Sequence, residues 1–337
     1  FVHCFFGSIT TYFLSCVGKE GGVFMRLFAK EKTKKFVVSL LRTILLIGIS
    51  YVILLPLINR LSTAFMSVED LYDQSVRWIP RNPTLRNFRL MWEHMDYVRS
   101  FGRSFFLAMF TSVLQLITCS MVGYGLARFK FPGSNLIFGL AIFTLVVPPQ
   151  LIMVPMYLNF RFFDFLGILK EPINLIGTYW PFALMSFTGT GFRNGLYIFI
   201  MRQFFKGMPR ALEEAAYIDG ASLFTTFWRV MIPGAVPGLV TTFLFSFVWQ
   251  WNDYLYVTTF MAGRSFLPQA LEGAANKVHR AINEADALAA SSGFLDDHFY
   301  SLINNAGMIL VIVPLLILYI FLQRYFVESI ERTGIVG

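Results

Sequence analysis

The chain has 337 residues, of which 56% are hydrophobic and only 14% charged, with a formal net charge of +8 and a mean hydropathy of +0.59. A soluble domain of this length carries about 25% charged residues, so the composition excludes an ordinary soluble protein and points to several membrane spans. The basic residues are scattered among apolar runs, which fits charges that orient helices in a membrane rather than a nucleic-acid surface.

Residues 1–17 are apolar but short, and lack a charged leader region and a clean cleavage site. Met25, followed by Arg26, Lys30, Lys32, Lys34 and Lys35, looks more like a membrane-protein start. Residues 1–24 therefore read as an over-extended gene start, the alternative being an extra interfacial helix. This gives an N-terminal extension and basic start over 1–35, and a transmembrane domain over 36–337. Six runs are long enough to cross about 30 Å of hydrocarbon: approximately 37–59, 102–127, 135–159, 177–201, 236–261 and 302–326. The fold class expected is all-α, a polytopic bundle of six core spans. Arg42 lies near enough to the start of the first span to snorkel to the interface. Lys and Arg are denser in 25–35, 128–134, 202–233 and 324–337 than in the alternate connections, which places both termini and 202–233 in the cytoplasm.

Within the spans, polar residues are costly in lipid and mark protein or water contacts. Gln115 is one in the second span. Pro148-Pro149 sets a kink in the third. In the fourth, Thr188, Thr190, Arg193 and Asn194 stand among Gly189, Gly191 and Gly195. A broken, polar span is where transporters place substrate; internal pairing of Arg193 is the competing reading. Asn252 and Asp253 lie far along the fifth span, where Asp253 could equally serve a backbone group. Gln115, Arg193, Asn194, Asn252 and Asp253 are thus the translocation-path candidates. Between the fifth and sixth spans, charges recur too often in 264–300 for a span, but Leu267, Leu271, Ala274, Ala275 and Val278 form the stripe of an amphipathic helix. That stripe either lies on the ends of the spans or meets an outside partner.

The segment 202–233 is polar-flanked and predicts a helix–turn–helix. Pro209 suits a first helical position, Glu213 and Glu214 favour the helix N-terminus, and Gly220 permits a left-handed turn. Ser222 can cap a second helix that ends before Pro233. Leu212, Ala215, Ala216 and Asp219 share one face of the first helix, and its alanines allow close approach by a partner. No Gly-x-x-x-x-Gly-Lys-Ser/Thr and no His-Glu-x-x-His occurs, and His3, His94, His279 and His298 all lie outside the apolar spans. Cys4, Cys16 and Cys119 have no metal-like spacing. An intramembrane enzyme is the alternative outside transport, and an ion channel lacks a visible pore repeat or charged ring.

Glu214-Ala215-Ala216, then Gly220, then Val230, Ile232 and Pro233, resembles the EAA loop of ABC importer permeases, with Val230 and Ile232 where the pattern has Ile and Leu. Gly123–Gly133, Arg202–Pro209, Trp251-Asn252-Asp253, Gln323–Glu328 and Gly334–Gly337 resemble the carbohydrate-importer (maltose-type) branch of that family. The likeness covers 36–337 and is vague over 60–100 and 264–300. It implies a bacterial cytoplasmic-membrane permease for a sugar or oligosaccharide. Its partners would be a second homologous permease subunit, two ATPase subunits that hold the ATP and Mg, and an extracytoplasmic solute-binding protein. It implies no cofactor and no catalysis in this chain. Leu212, Glu214, Ala215, Ala216 and Gly220 would dock on an ATPase, and closure of the ATPases would swing the spans between inward-open and outward-open. A polyamine or other small solute is the alternative cargo.

Overall fold

The structure, a computed structural model, describes residues 36–165, 167–168, 170–285 and 297–334. The reading of residues 1–24 falls outside them. Residues up to Ser62 belong to one compact unit and residues from Thr63 to a second. The described residues of the first unit lie on α1 (Phe36–Phe65), whose last three residues belong to the second unit and whose 30 residues give about 45 Å of helix at 1.5 Å per residue. Ile44, Ile47 and Val52 on it are exposed.

The second unit begins with a folded connection. Ser67 caps α2 (Val68–Tyr72), its hydroxyl accepting the Asp70 N–H at 3.2 Å. Asp70 is buried and accepts the Asn82 backbone N–H at 2.8 Å. Buried Asn87, on α3 (Arg86–His94), donates to the Ala64 and Met66 carbonyls. Buried amides and carboxylates satisfied in this way fix an otherwise loop-like segment.

Then comes α4 (Tyr97–Arg128), 32 residues without a break, about 48 Å long. It packs against the helices Trp180–Phe187, Asn194–Gly207 and Val236–Trp251. The expected third span is instead two helices, α5 (Ser134–Phe143) and α6 (Pro149–Arg161). Neither Pro148 nor Pro149 can donate to a helical ladder, and a proline pushes the residue before it out of the helical region. The expected fourth span is likewise α7 (Trp180–Phe187) and α8 (Asn194–Gly207), parted at 188–193, where Gly189 has φ +71° and Arg193 φ +62°. The fifth is α12 (Val236–Trp251) and α13 (Leu255–Phe260). Three helices among the described residues are long and apolar enough to cross a membrane unaided, or four if the bent 223–251 pair is counted as one. The all-α, polytopic architecture stands, with the expected third, fourth and fifth spans each built from two helices; a bridge between Phe163 and Ile173 is the exception among the described residues.

The amphipathic stripe of 264–300 lies on α14 (Leu267–Ala285), and its core positions Leu267, Ala274, Ala275 and Val278 are buried. The helix packs on α3, on α4 and on the last helix, α15 (Asp297–Gly334), and the Ser104 hydroxyl accepts the Leu267 N–H at 2.8 Å. Pro314 interrupts the α15 ladder: without an N–H it leaves the Leu310 carbonyl without a helical donor. The Tyr97 hydroxyl donates to that oxygen at 2.9 Å, and Trp251 Nε1 to the next carbonyl, Val311, at 3.2 Å.

Candidate functional site

Two regions collect the polar features of the sequence. At one end of α4 lies a hairpin. α9 (Ala211–Ile218) starts at Ala211, so Pro209 precedes the helix instead of opening it. Gly220 adopts φ +78° as expected, with the Gly220 N–H on the Tyr217 carbonyl and the Ala221 N–H on the Ala216 carbonyl, the paired closure of a left-handed helix end. Ser222 caps α10 (Leu223–Thr226), accepting the Thr225 N–H at 3.3 Å. The second helix does not end before Pro233. It passes through a π turn, Phe227–Met231, into α11 (Ile232–Gly234). Pro233 has no N–H, and the wider turn, closed by the Ile232 N–H on the Phe227 carbonyl, is a common way to absorb such a fault. The chain then bends by 79° into α12.

The four-residue face expected on α9 is split. Leu212, Glu214, Ala215 and Asp219 are exposed, while Ala216 is 8% exposed and faces the chain's own body, as does Glu213. The Glu213 carboxylate lies 3.3 Å from Arg128 Nε, with both side chains at least 90% buried. Arg128 Nη2 also donates to the Met208 carbonyl at 2.8 Å. Sequence reasoning did not separate Glu213 from Glu214, because the 100° step between neighbours decides burial only once the helix has a body to lie on. It also missed an apolar rim: Ile218 is 86% exposed, Phe224 67% and Leu223 56%.

The second region is a cavity of about 840 Å³ between the broken helices. Its wall includes Asn159, Asp164, Thr188, Thr190, Arg193 and Tyr256, with Phe160, Phe162 and Phe163 beside them. Arg193 is the one translocation candidate in this wall. Its guanidinium lies over the Trp249 ring, 3.4 Å from the centroid, and 5.0 Å from that of Phe192, so cation–π contact takes the place of an acidic partner. Gln115 and Asn194 sit just behind the wall. A methyl at Gly191 would lie 3.0 Å from Gln115 Nε2 and 3.2 Å from Asn194 Nδ2. Gln115 accepts from the Ser246 hydroxyl at 2.5 Å, and Ser246 also meets Ser112 at 3.0 Å, a buried polar layer joining α4 to α12. Neither amide atom of Asn194 has a partner, although the residue is 1% exposed.

The remaining candidates are engaged elsewhere. Asp253 is buried and holds the start of α13, accepting the Tyr256 N–H at 3.1 Å and Gln250 Nε2 at 3.2 Å. The Asn252 side chain bonds back to the Val248 carbonyl at 2.8 Å. Asp253 thus makes the kind of backbone contact that competed with the translocation reading. Trp249, Ser112, Ser246 and Asn159 carried no signal in the sequence beyond their residue type. Among the described residues no group of His, Cys, Asp and Glu could hold a metal.

Long apolar helices, broken helices around a cavity, and a polar hairpin at one end define a polytopic membrane permease. The chain belongs to the family described as the binding-protein-dependent transport system inner membrane component, which matches residues 119–332. It is therefore a transport subunit of a membrane importer. It is 28% identical over 311 residues to the arabinooligosaccharides transport system permease protein AraQ of Halalkalibacterium halodurans, covering 91% of this chain and 100% of that protein. It is 29% identical to the diacetylchitobiose uptake system permease protein NgcG of Streptomyces coelicolor, covering 86% of each. The fold is similar to a chain in the crystal structure of a bacterial ABC transporter involved in the import of the acidic polysaccharide alginate, with a TM-score of 0.65 and 23% identity over 86% of this chain and 96% of that one.

Proposed function

We propose that the chain is one of two paired permease subunits of an ABC importer for a sugar or oligosaccharide, with ATP and Mg bound and hydrolysed on two separate ATPase subunits. The α9 hairpin enters a cleft on one ATPase from the cytoplasm, where both chain termini also lie. A solute-binding protein delivers cargo at the opposite end, beside α14. The observation that carries this reading is the hairpin surface: Glu214 and Ala215 stand among exposed Leu212, Ile218, Leu223 and Phe224 around the fixed Gly220 turn. An apolar patch with a polar rim marks a protein contact.

The choice of cargo rests on the cavity and on the relatives' names. Phenyl rings beside threonine hydroxyls and the Asn159 amide suit the flat apolar face and hydroxyl edge of a sugar ring. The described wall holds one cation, Arg193, and one anion, Asp164, so it carries no negative excess that would draw a polyamine. In proteoliposomes holding both permeases and the ATPase, arabinooligosaccharide and diacetylchitobiose are tested with the matching binding protein, beside spermidine. One of the saccharides should stimulate hydrolysis several-fold. Replacing Arg193 with Ala removes the one cation of the described wall and should reduce that sugar's uptake about tenfold, on the order of 1.4 kcal/mol. Stimulation by spermidine alone would reassign the cargo.

A further inference from the structure

One guanidinium ties three helices together. Arg128 is the last residue of α4, where a cation is favoured by the negative helix end. It reaches the Glu213 carboxylate on α9 at 3.3 Å and the Met208 carbonyl at the end of α8 at 2.8 Å. Its side chain is 6% exposed and that of Glu213 is 10%, so water and salt screen the pair little. Glu213 and Ala216 are the two buried residues of α9, and of these only Glu213 carries a charge, which the Arg128 guanidinium balances as a buried ion pair. The rest of α9 is held by its flanking chain, which includes the Gly220 turn, and by contact with the π turn.

From Arg128 the unbroken α4 runs back 13 residues, about 20 Å, to Gln115. There, Gln115 Nε2 lies beside Gly191 in the cavity wall. On the way, Gly123 lets α4 lie directly on α8: a methyl there would come within 2.8 Å of Met201 Cβ and 2.9 Å of the Arg202 nitrogen. We propose that the buried Arg128–Glu213 pair is the link that passes movement of α9 into α4, and through α4 to the cavity wall at Gly191. Glu214 and Glu213 then divide the work between them: the first faces the partner and the second grips the bundle. The proposal rests on the reading of α9 as the ATPase-docking helix.

The test needs no knowledge of the cargo. Thr190 is exposed in the cavity wall. A Thr190→Cys chain with its native cysteines replaced is assembled with the companion permease and ATPase, and its labelling rate by a maleimide is compared with and without Mg and a non-hydrolysable ATP analogue. The analogue should change the rate at least fivefold. With Glu213→Gln added, the ATPase should remain bound and hydrolyse at a basal rate within twofold of the parent, while the labelling response falls below twofold. Because that variant leaves a buried guanidinium without its counter-charge, the swapped pair, Arg128→Glu with Glu213→Arg, is measured beside it and should recover at least half of the response. A full response in Glu213→Gln overturns the proposal. So does a swapped pair that assembles but stays unresponsive, or loss of the ATPase from both variants, which would make the pair a support of the docking surface. An ATPase that fails to bind even the parent chain removes the docking reading itself and the proposal with it.

Discussion

The Tyr97 hydroxyl shows how one side chain repairs another residue's fault. Pro314 removes a donor from α15, and the resulting bare carbonyl at Leu310 would cost about 1–3 kcal/mol if buried and unpaired. Tyr97 supplies the donor at 2.9 Å from a different helix. Replacing Tyr97 with Phe keeps the ring stacked between Trp92 and Phe101 and removes only the hydroxyl. The expected loss is about 1 kcal/mol of stability, read as a fall of a few degrees in the melting temperature of the purified complex. An unchanged melting temperature would show that the Leu310 carbonyl finds another donor. The proline was legible in the sequence, but its partner 217 positions away was not, because only packing brings α4 against α15.

At the scale of the element, the hairpin depends on one backbone angle. Gly220 holds φ +78° with nothing within 4 Å of the position a Cβ would take, so the constraint there is conformational and not steric crowding by neighbours. A β-branched residue in this region is strained by about 1–3 kcal/mol. Gly220→Val should therefore swing α10 away from α9, break the surface made by Leu212, Ile218 and Phe224, and abolish ATPase capture and uptake while the protein still inserts in the membrane. Gly220→Asn, which tolerates the left-handed region, should retain most of both. Equal loss in the two variants would mean that the turn matters for something other than its angle. α14 follows a different logic. Its apolar stripe was legible by periodicity, and the structure buries it on α3, α4 and α15, as an amphipathic helix demands when apolar neighbours are at hand.

For the whole molecule, the hairpin and α14 stand at opposite ends of the long α4: Arg128 contacts Glu213 at one end, and Ser104 accepts the Leu267 N–H at the other. They must therefore face opposite sides of a membrane that α4 crosses. Single cysteines at Ser222 and Ser265, in a chain cleared of native cysteines, should differ towards an impermeant thiol reagent applied to intact cells. Only Ser265 should react. Reaction at Ser222 alone would invert the orientation and remove the docking reading, while reaction at both would show that α4 does not separate the two sites.

The sequence by itself determined the class of this protein. Its apolar runs could be stable only in a membrane, and the Glu214–Gly220–Pro233 spacing marked the hairpin, because hydropathy and left-handed glycine are local properties of the chain. The tertiary structure decided where the runs break and which polar residues meet. Pro148-Pro149 announced a kink, but the depth of the breaks at 188–193 and 252–254 follows from side chains and neighbouring helices that take over the freed backbone groups. The same holds for the candidate site. Arg193 lines the cavity because Trp249, from another helix, receives its guanidinium, while Asp253 is drawn into capping α13. Glu213 and Glu214 are chemically alike and adjacent, and no local rule tells them apart. A 100° turn of the helix over the end of α4 buries one against Arg128 and leaves the other exposed, since burial is a property of what surrounds a residue and not of the residue.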